Sequence, residues 1–407
     1  MIPLLQNRNI LLGVTGSIAA YKAADLASKL AQAGALVDVV LTQSALQFIA
    51  PLTFQSLTGR RAYRDQDLWG SEGHIQHIGL GKKADILVIA PASANTIAKL
   101  AYGIANNLLT VTALAVEAPL VIAPAMDGGM YNHPATRHNL KILKDREAVI
   151  IGPVEGHLAS GLVGIGRMAE PTDIIGEIRL ILAQDGPLSG QHVIVTAGGT
   201  QEPIDPVRSI NNRSSGKQGY AIAQAALDLG AKVTLISAPT ALTAPVGVNL
   251  INIFTADEMK AAVMTTIPDS DMLIMAAAVA DFRPITLAQE KIKRERGIPK
   301  IELEATDDIL TEVSRQKAQT NNPRIVVGFA AESHNLLKHA QRKLKSKGLD
   351  LIVANDITAP DSGFAADTNQ VVLIDANEKV TKLPLMSKEE VARKVMERVS
   401  DLSANFQ

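Results

Sequence analysis

Two short stretches of small and hydroxyl-bearing residues stand where a chain can hold an anion. Thr15-Gly16-Ser17 follows the apolar run 9–14, and Ala197-Gly198-Gly199 follows the apolar run 192–196. Each leads toward a helical segment, so free backbone N–H groups and the positive helix end can face a phosphate. A tight strand-to-helix connection that binds nothing explains either loop equally well when it is taken alone. Neither loop carries the glycine fingerprint of a dinucleotide site. No acid that could hold a ribose hydroxyl follows the second strand of either unit, at Leu41-Thr42-Gln43-Ser44 or Ile236-Ser237-Ala238-Pro239. A mononucleotide, or a flavin with one phosphate, fits better. A further polar run, Pro91-Ala92-Ser93-Ala94-Asn95-Thr96, joins a strand to a helix. Helix capping accounts for one of its side chains but not for the whole run. His74 and His77 lie near a helix start, where a histidine by itself reads as a surface or capping residue. Lys343 and Lys347 are four residues apart on the helix 336–347 and share a face, which alone reads as a solvated basic surface.

The elements that position these groups repeat one plan. In the first half a strand at 9–14, a helix to about 33 ended by Gly34, and a strand at 35–41 follow one another. In the second half come a strand at 192–196, a helix at about 216–229, Gly230 and a strand at 231–237. Further apolar strands are expected at 85–90, 119–123, 272–276, 325–328 and 349–354. Strands alternating with helices at this spacing predict parallel α/β sheets. Because the plan starts twice, two domains are expected, 1–185 and 191–407, with the boundary in the turn-rich stretch 184–190. The 407 residues are enough for two cores, and 47% hydrophobic with 20% charged is a globular composition. A net charge of −1 gives no general case for nucleic acid or a membrane surface. No uninterrupted apolar run predicts a membrane span, and the first residues lack a signal-peptide pattern. The chain has no cysteine, which rules out disulfides and thiolate metal sites and fits the cytoplasm.

The first half resembles the flavin-dependent cysteine decarboxylases. The matching elements, in order, are Gly13-Val14-Thr15-Gly16-Ser17-Ile18-Ala19-Ala20-Tyr21-Lys22, His77-Ile78, the run 91–109, Pro124-Ala125-Met126 with Met130-Tyr131, and Gly164-Ile165-Gly166-Arg167-Met168. The resemblance implies FMN held by Gly16, Ser17, Ser93, Asn95 and Thr96, a catalytic His77 with His74 as bystander, and a substrate clasp from the segments at 124 and 156–168. Loss of CO2 from a cysteinyl carboxylate needs an electron sink. In this family the flavin supplies one by oxidising the thiol-bearing carbon, and a protein acid later returns a proton. The chain departs from the pattern twice. Ala159-Ser160-Gly161 stands where the family has Ala-Cys-Gly, and Pro124-Ala125-Met126-Asp127 where it has Pro-x-Met-Asn. A serine is a far weaker acid than a thiol of pKa about 8.5, so slower protonation at Ser160 is expected. Asp127 is expected to place a charge near the substrate carboxylate.

The second half is similar to the phosphopantothenate–cysteine ligases. The similarity is carried by the segments 196–208 and 210–219, Ala276-Ala277-Ala278-Val279-Ala280-Asp281-Phe282, Lys291-Ile292-Lys293, Gly328-Phe329-Ala330-Ala331-Glu332 and Ala354-Asn355-Asp356. It implies CTP, 4′-phosphopantothenate and cysteine as substrates. An amide ligase that makes an acyl-cytidylate must neutralise a triphosphate as pyrophosphate leaves. Lys291, Lys343 and Lys347 are the family-matched cations. Asp281 and Phe329, with Ala277 and the loop Asp307-Asp308-Ile309-Leu310, would hold the nucleotide, Asp307 departing from the family's proline. Asn212 and Arg208 would hold the phosphopantothenate end or its acyl-cytidylate. Mg2+ is expected with the triphosphate and not from any ligand motif.

The whole chain thus reads as two Rossmann-like α/β domains that ligate and then decarboxylate on the way to coenzyme A. The family implies a homo-oligomer, with decarboxylase trimers joined through ligase dimers. Two other readings stay open. One is a ligase whose flavoprotein half is impaired or releases the enethiol, and the other is a non-catalytic flavoprotein binding module.

Overall fold

The computed structural model describes residues 3–69, 76–159, 161–296, 298–332, 335–356 and 366–404. The chain divides into two compact units, 2–182 and 183–407.

The first unit runs β1 (Asn9–Val14), α1 (Ala20–Gln32), β2 (Leu36–Leu41), α2 (Pro51–Thr58), β3 (Ala62–Arg64), α3 (Gln76–Lys83) and β4 (Ile86–Ala92). It continues with α4 (Ala94–Tyr102), α5 (Leu108–Ala115), β5 (Leu120–Pro124), α6 (Gly128–Asn132), α7 (Pro134–Asp145), β6 (Val149–Ile150), β7 (Val154–His157), β8 (Val163–Arg167) and α8 (Pro171–Ala183). Six strands form one parallel sheet in the order β3-β2-β1-β4-β5-β6. Apolar residues on both faces of each central strand explain why helices cover both sides. Ile10, Leu12 and Val14 join one core with Leu26 and Leu30 of α1 and Ile174 and Ile178 of α8. Leu11, Leu87 and Ile89 join the other with Ile97 of α4, Leu109 of α5 and Leu140 of α7.

The second unit runs β9 (His192–Ala197), β10 (Gln201–Pro203), β11 (Ser209–Asn211), α9 (Lys217–Leu227), β12 (Lys232–Ser237), β13 (Asn249–Asn252), α10 (Ala256–Thr266), β14 (Met272–Met275), β15 (Phe282–Pro284) and β16 (Leu303–Ala305). Then come α11 (Ile309–Thr320), β17 (Ile325–Glu332), α12 (Leu336–Ser346), β18 (Leu351–Asp356), β19 (Thr368–Asn369), β20 (Val371–Asp375), β21 (Val380–Lys382), β22 (Met386–Ser387) and α13 (Lys388–Ala404). Its eight-stranded sheet has the order β13-β12-β9-β14-β17-β18-β20-β21. The first six strands are parallel, in the same relative order as in the first unit, and β20 and β21 add antiparallel. In each sheet the strand order reverses beside the first strand, which opens a crevice at the carboxyl ends of β1 and β4, and of β9 and β14. The expected α/β class and parallel sheets are present. The hairpins β7–β8, β10–β11 and β15–β16 were not expected, because their strands are short and give no apolar run.

Helix α9 lies unusually close to β9. A Cβ at Gly219 would come 2.6 Å from the Ala197 Cβ and 2.8 Å from the Thr196 carbonyl oxygen. Both neighbours are themselves fully buried, with nowhere to yield. Gly219→Val is therefore expected to destabilise the second unit by about 1–3 kcal/mol. Thermal unfolding should register the loss in the second unit alone, with the transition of the first unit unchanged.

Candidate active sites

In the first unit the crevice is built around Thr15, which is 1% exposed. Its hydroxyl donates to the Pro91 carbonyl at 2.7 Å and accepts from the Ser93 N–H at 2.9 Å. This joins the loop after β1 to the loop after β4. Ser93 caps α4 by accepting from the Thr96 N–H at 3.4 Å, and its hydroxyl lies 3.2 Å from that of Thr96. Ser17 accepts from the Ala19 N–H at 3.3 Å ahead of α1, whose start has no side-chain cap. Gly16 is needed for close approach, since a Cβ there would come 2.5 Å from the Ser44 Cβ. Asn95 is exposed on the first turn of α4. His77 is the second residue of α3, and its Nδ1 is buried without a hydrogen-bond partner. His74 lies outside the described residues.

Beside this loop is a cavity of about 220 Å3, lined by Ser17, Lys22, Asp127, His157, Arg167 and Met168 among others. The hairpin β7–β8 closes onto the turn before α6, with the Met126 N–H donating to the Gly166 carbonyl at 3.0 Å. Gly166 permits this: its φ is +149°, and a Cβ would come 2.2 Å from the Met126 oxygen. Lys22, 4% exposed, reaches from α1 to the Met168 carbonyl at 3.0 Å and to Glu170 Oε1 at 2.9 Å, which also accepts from Arg167. Asp127 caps α6 by accepting from the Gly129 N–H at 2.9 Å. Met130 is half exposed on α6 and is not among the lining residues, nor are His77, Ser93, Asn95 and Thr96. Ser160 lies outside the described residues; its neighbours sit at the hairpin tip, where the Gly161 N–H donates to the Leu158 carbonyl.

The second unit holds a cavity of about 510 Å3 at the reversal between β9 and β14. It brings together Asn212, Ala277, Asp281, the loop 307–310, Phe329 and Lys343. Three buried or half-buried threonines fix its wall. Thr196 Oγ1 accepts from the Ala277 N–H at 3.1 Å, Thr200 Oγ1 accepts from the Ala280 N–H at 2.9 Å, and Thr306 Oγ1 donates to the Ala280 carbonyl at 2.6 Å. Asn212 Nδ2 donates to the Val279 carbonyl at 3.0 Å. Lys343 Nζ donates to the Phe329 carbonyl at 2.8 Å. Lys347, which caps the end of α12, points instead to Asp308 at 2.5 Å and to Thr311 at 2.9 Å. Burial pushes the Asp308 carboxyl up, but the hydrogen bonds from Lys347 and Thr311 outweigh it and hold the pKa below the carboxylate range. Asp307 is exposed and pairs with Lys260 at 2.6 Å, which lowers its carboxyl pKa.

Lys291, Lys347 and Arg208 are not among the cavity's lining residues. Lys291 is exposed, and its segment is tied to Arg208 through a residue that sequence reasoning missed. Asp205, whose side chain is fully buried, accepts from Arg208 Nε and Nη2 and from the Ile292 N–H at 3.1 Å, while Arg208 Nη2 donates to the Ile292 carbonyl at 2.6 Å. Among the described residues there is no group of three or more His, Asp or Glu able to hold a metal ion.

Residues 4–182 match the Flavoprotein family, and residues 188–402 match the family described as DNA/pantothenate metabolism flavoprotein C-terminal domain. The chain is 46% identical over 403 residues to the coenzyme A biosynthesis bifunctional protein CoaBC of Bacillus subtilis, with 98% of each chain covered. It is 43% identical over 401 residues to the protein of that name in Vibrio vulnificus, again with 98% of each covered. A solved structure of the C-terminal domain of CoaBC is similar at 38% identity over 54% of this chain and all of that one, with a TM-score of 0.46. The chain belongs to the CoaBC family. Its two halves are accordingly the flavoprotein and ligase domains of a bifunctional enzyme of coenzyme A biosynthesis, in preference to a lone ligase or a binding module. No described helix is long and apolar enough to cross a membrane.

The clip at Asp205 has a definite pH signature. Hydrogen bonds from the Arg208 side chain hold its carboxyl far below the carboxylate range, outweighing burial. A depressed folded pKa adds stability above the unfolded value of about 3.9 and loses it only as pH falls through the folded value. The clip should therefore survive titration from neutrality down to about pH 4. Asp205→Asn removes it at every pH, and CTP-dependent ligation is expected to fall roughly tenfold or more. Pyrophosphate release, measured beside flavin absorbance as a folding control, checks this.

Proposed function

We propose that the second domain joins cysteine to 4′-phosphopantothenate through an acyl-cytidylate, at the expense of CTP. We further propose that the first domain decarboxylates the product to 4′-phosphopantetheine with FMN, in the cytoplasm. The observation that carries the ligase reading is the 510 Å3 cavity, which gathers Asn212, Asp281, Phe329 and Lys343 at one strand reversal. Ala277, Asp281, the loop 307–310 and Phe329 would hold the cytidine. Lys343 would meet phosphate charge, while Lys347 acts by fixing Asp308 at the head of α11. Lys291 and Arg208 would move as one unit, joined by Asp205. An oligomer of decarboxylase trimers and ligase dimers is part of the proposal, as is Mg2+ arriving with the triphosphate.

The residues of the first crevice fit FMN. The uncapped start of α1, the hydroxyl pair Ser93 and Thr96, and the close approach at Gly16 make a cradle for a phosphate. The buried His77 Nδ1 lacks a partner of its own, as a group that serves a ligand would. Gly16, Ser17, Ser93, Asn95 and Thr96 would hold the cofactor. When bound, FMN supplies the oxidation that gives the departing CO2 an electron sink. The protein's part is to place the cysteinyl end under the clasp, exclude water and deliver a proton at carbon. Asp127 and Met130 would border the substrate, and Ser160 stands in the sequence position of the proton donor.

Mass analysis of the products from 4′-phosphopantothenate, cysteine and CTP tests the whole reading, because amide, enethiol and finished amine have separate masses. Absence of the amide would sink it. Lys291→Gln is expected to abolish or severely reduce pyrophosphate release with flavin binding intact; unchanged CTP consumption would remove Lys291 from the site. His77→Asn should keep the yellow colour and lose CO2 release. Ser160→Cys is expected to shift product from the enethiol toward 4′-phosphopantetheine, because a thiol is several pKa units more acidic than a hydroxyl. A wild-type chain that releases no enethiol would show that Ser160 is no handicap.

A further inference from the structure

In the proposed decarboxylation, the enethiolate left by CO2 loss needs a proton at carbon, and Ser160 stands where a thiol would give it. A protein donor able to reach the cysteinyl end under the clasp must line the cavity of about 220 Å3 in the first unit. Six of its lining side chains carry a polar proton or a charge: Ser17, Tyr21, Lys22, Asp127, His157 and Arg167. Five of them are poorly suited. Arginine does not release its proton in a protein. Lys22 spends its ammonium on the Met168 carbonyl and on Glu170. A carboxylate ordinarily has no proton to give near neutrality, and that of Asp127 accepts from the Gly129 N–H. Serine and tyrosine hydroxyls hold their protons too tightly.

His157 is left. It is the last residue of β7 and exposed, and its ring makes no hydrogen bond among the described residues. Imidazole both holds and releases a proton near neutrality, and water at an exposed ring can restore it. The backbone around His157 is fixed. The hairpin pairs it with Val163, the Leu158 N–H donates to the Leu162 carbonyl at 2.8 Å, and the Leu158 carbonyl accepts from the Gly161 N–H at 3.0 Å. Farther along, the Gly166 carbonyl accepts from the Met126 N–H and ties the hairpin to the turn before α6. The cavity that His157 lines is shared with Ser17 of the proposed FMN cradle and Asp127 of the proposed substrate border.

We propose that His157 is the general acid of the decarboxylase domain and delivers the proton that Ser160 cannot. The proposal rests on the FMN-dependent decarboxylase reading. The imidazolium gives its proton to the carbon that lost CO2, which turns the enethiolate into a thioaldehyde. The thiol-bearing carbon then accepts the hydride stored on the flavin by the earlier oxidation, leaving the product thiolate and oxidised flavin. The imidazole regains its proton from water. Charges around the ring oppose one another: Asp127, and Glu155 two residues back on β7, favour the imidazolium. Lys22 and Arg167 disfavour it, with Glu170 as their shared counter-charge.

Single turnovers of the full, FMN-loaded chain with 4′-phosphopantothenoylcysteine test this. In His157→Gln, CO2 release should stay within about threefold of wild type, while the ratio of amine to enethiol falls roughly tenfold or more and flavin stays reduced. The enethiol share should rise with pH in the wild type and be flat in the variant, and adding Ser160→Cys to the variant should restore the amine. A second readout needs no turnover. Carbethoxylation of His157 by diethylpyrocarbonate, followed by peptide mass, should slow about threefold or more when 4′-phosphopantetheine is bound, and it carries the test if the variant does not fold. A wild-type product ratio in His157→Gln, a flat wild-type pH profile, unslowed carbethoxylation, or loss of CO2 release together with the amine would overturn the assignment. A wild-type chain that releases no CO2 would overturn the decarboxylase reading, and the acid with it.

Discussion

A threonine hydroxyl at the end of the first strand, bonded across to the loop after the fourth, is the contact on which both sites depend. In the first unit Thr15 accepts from the Ser93 N–H, and in the second Thr196 accepts from the Ala277 N–H. Both threonines are essentially buried. Parallel strands satisfy one another along their length, but where the order reverses, the loops leave in opposite directions and their first N–H groups lose their partners. A short side chain with both donor and acceptor capacity can bridge that gap without filling the crevice. Valine in its place would pack as well and leave the loops unanchored. The crevice is therefore open and rigid together, and a ligand site needs both properties.

The same constraint separates what could be read in the sequence from what could not. Apolar runs such as 9–14, 85–90 and 192–196 reported the strands, because residues buried on both faces give an unbroken signal. Small-residue loops reported the places where backbone must come close. The repeated start predicted two parallel sheets, while the order of their strands came only from the structure. The hairpin β15–β16 left no trace, since its strands are three residues each and mostly exposed. Helix α13, beginning Lys388-Glu389-Glu390, looks like a solvated amphipathic helix. Nothing local says that its first lysine turns inward.

Asp205 shows why the site was only partly legible. In sequence it is one acid in a turn, Pro203-Ile204-Asp205-Pro206, and an Asp there most simply caps its own loop. It does so, accepting from the Val207 and Arg208 N–H groups at 2.9 Å each. Its second oxygen also binds the Arg208 guanidinium and the Ile292 N–H, a residue 87 positions away. That long-range contact ties Arg208 to the segment that carries Lys291. Family likeness pointed to the two cations separately, and only the fold supplies the carboxylate between them.

Electrostatics at the ligase cavity follow a common rule. The chain carries a net charge of −1, yet Lys217, Lys343 and Lys388 line one cavity. Of those that line it, Lys217 is held by Asp367, and beside it the loop 307–310 pairs Asp307 with Lys260 and Asp308 with Lys347. Each pairing depresses the acid's pKa, so the acids stay ionised and the lysines stay placed. In the proposed ligase reaction an arriving phosphate would not meet bare cations that must first be ordered. It replaces or joins a carboxylate already in position, so less side-chain freedom is lost on binding. The exchange is readiest at the exposed pairs, because a surface ion pair contributes little to stability. Of the three pairs, Lys217–Asp367 has the most exposed carboxylate, with Asp367 86% exposed.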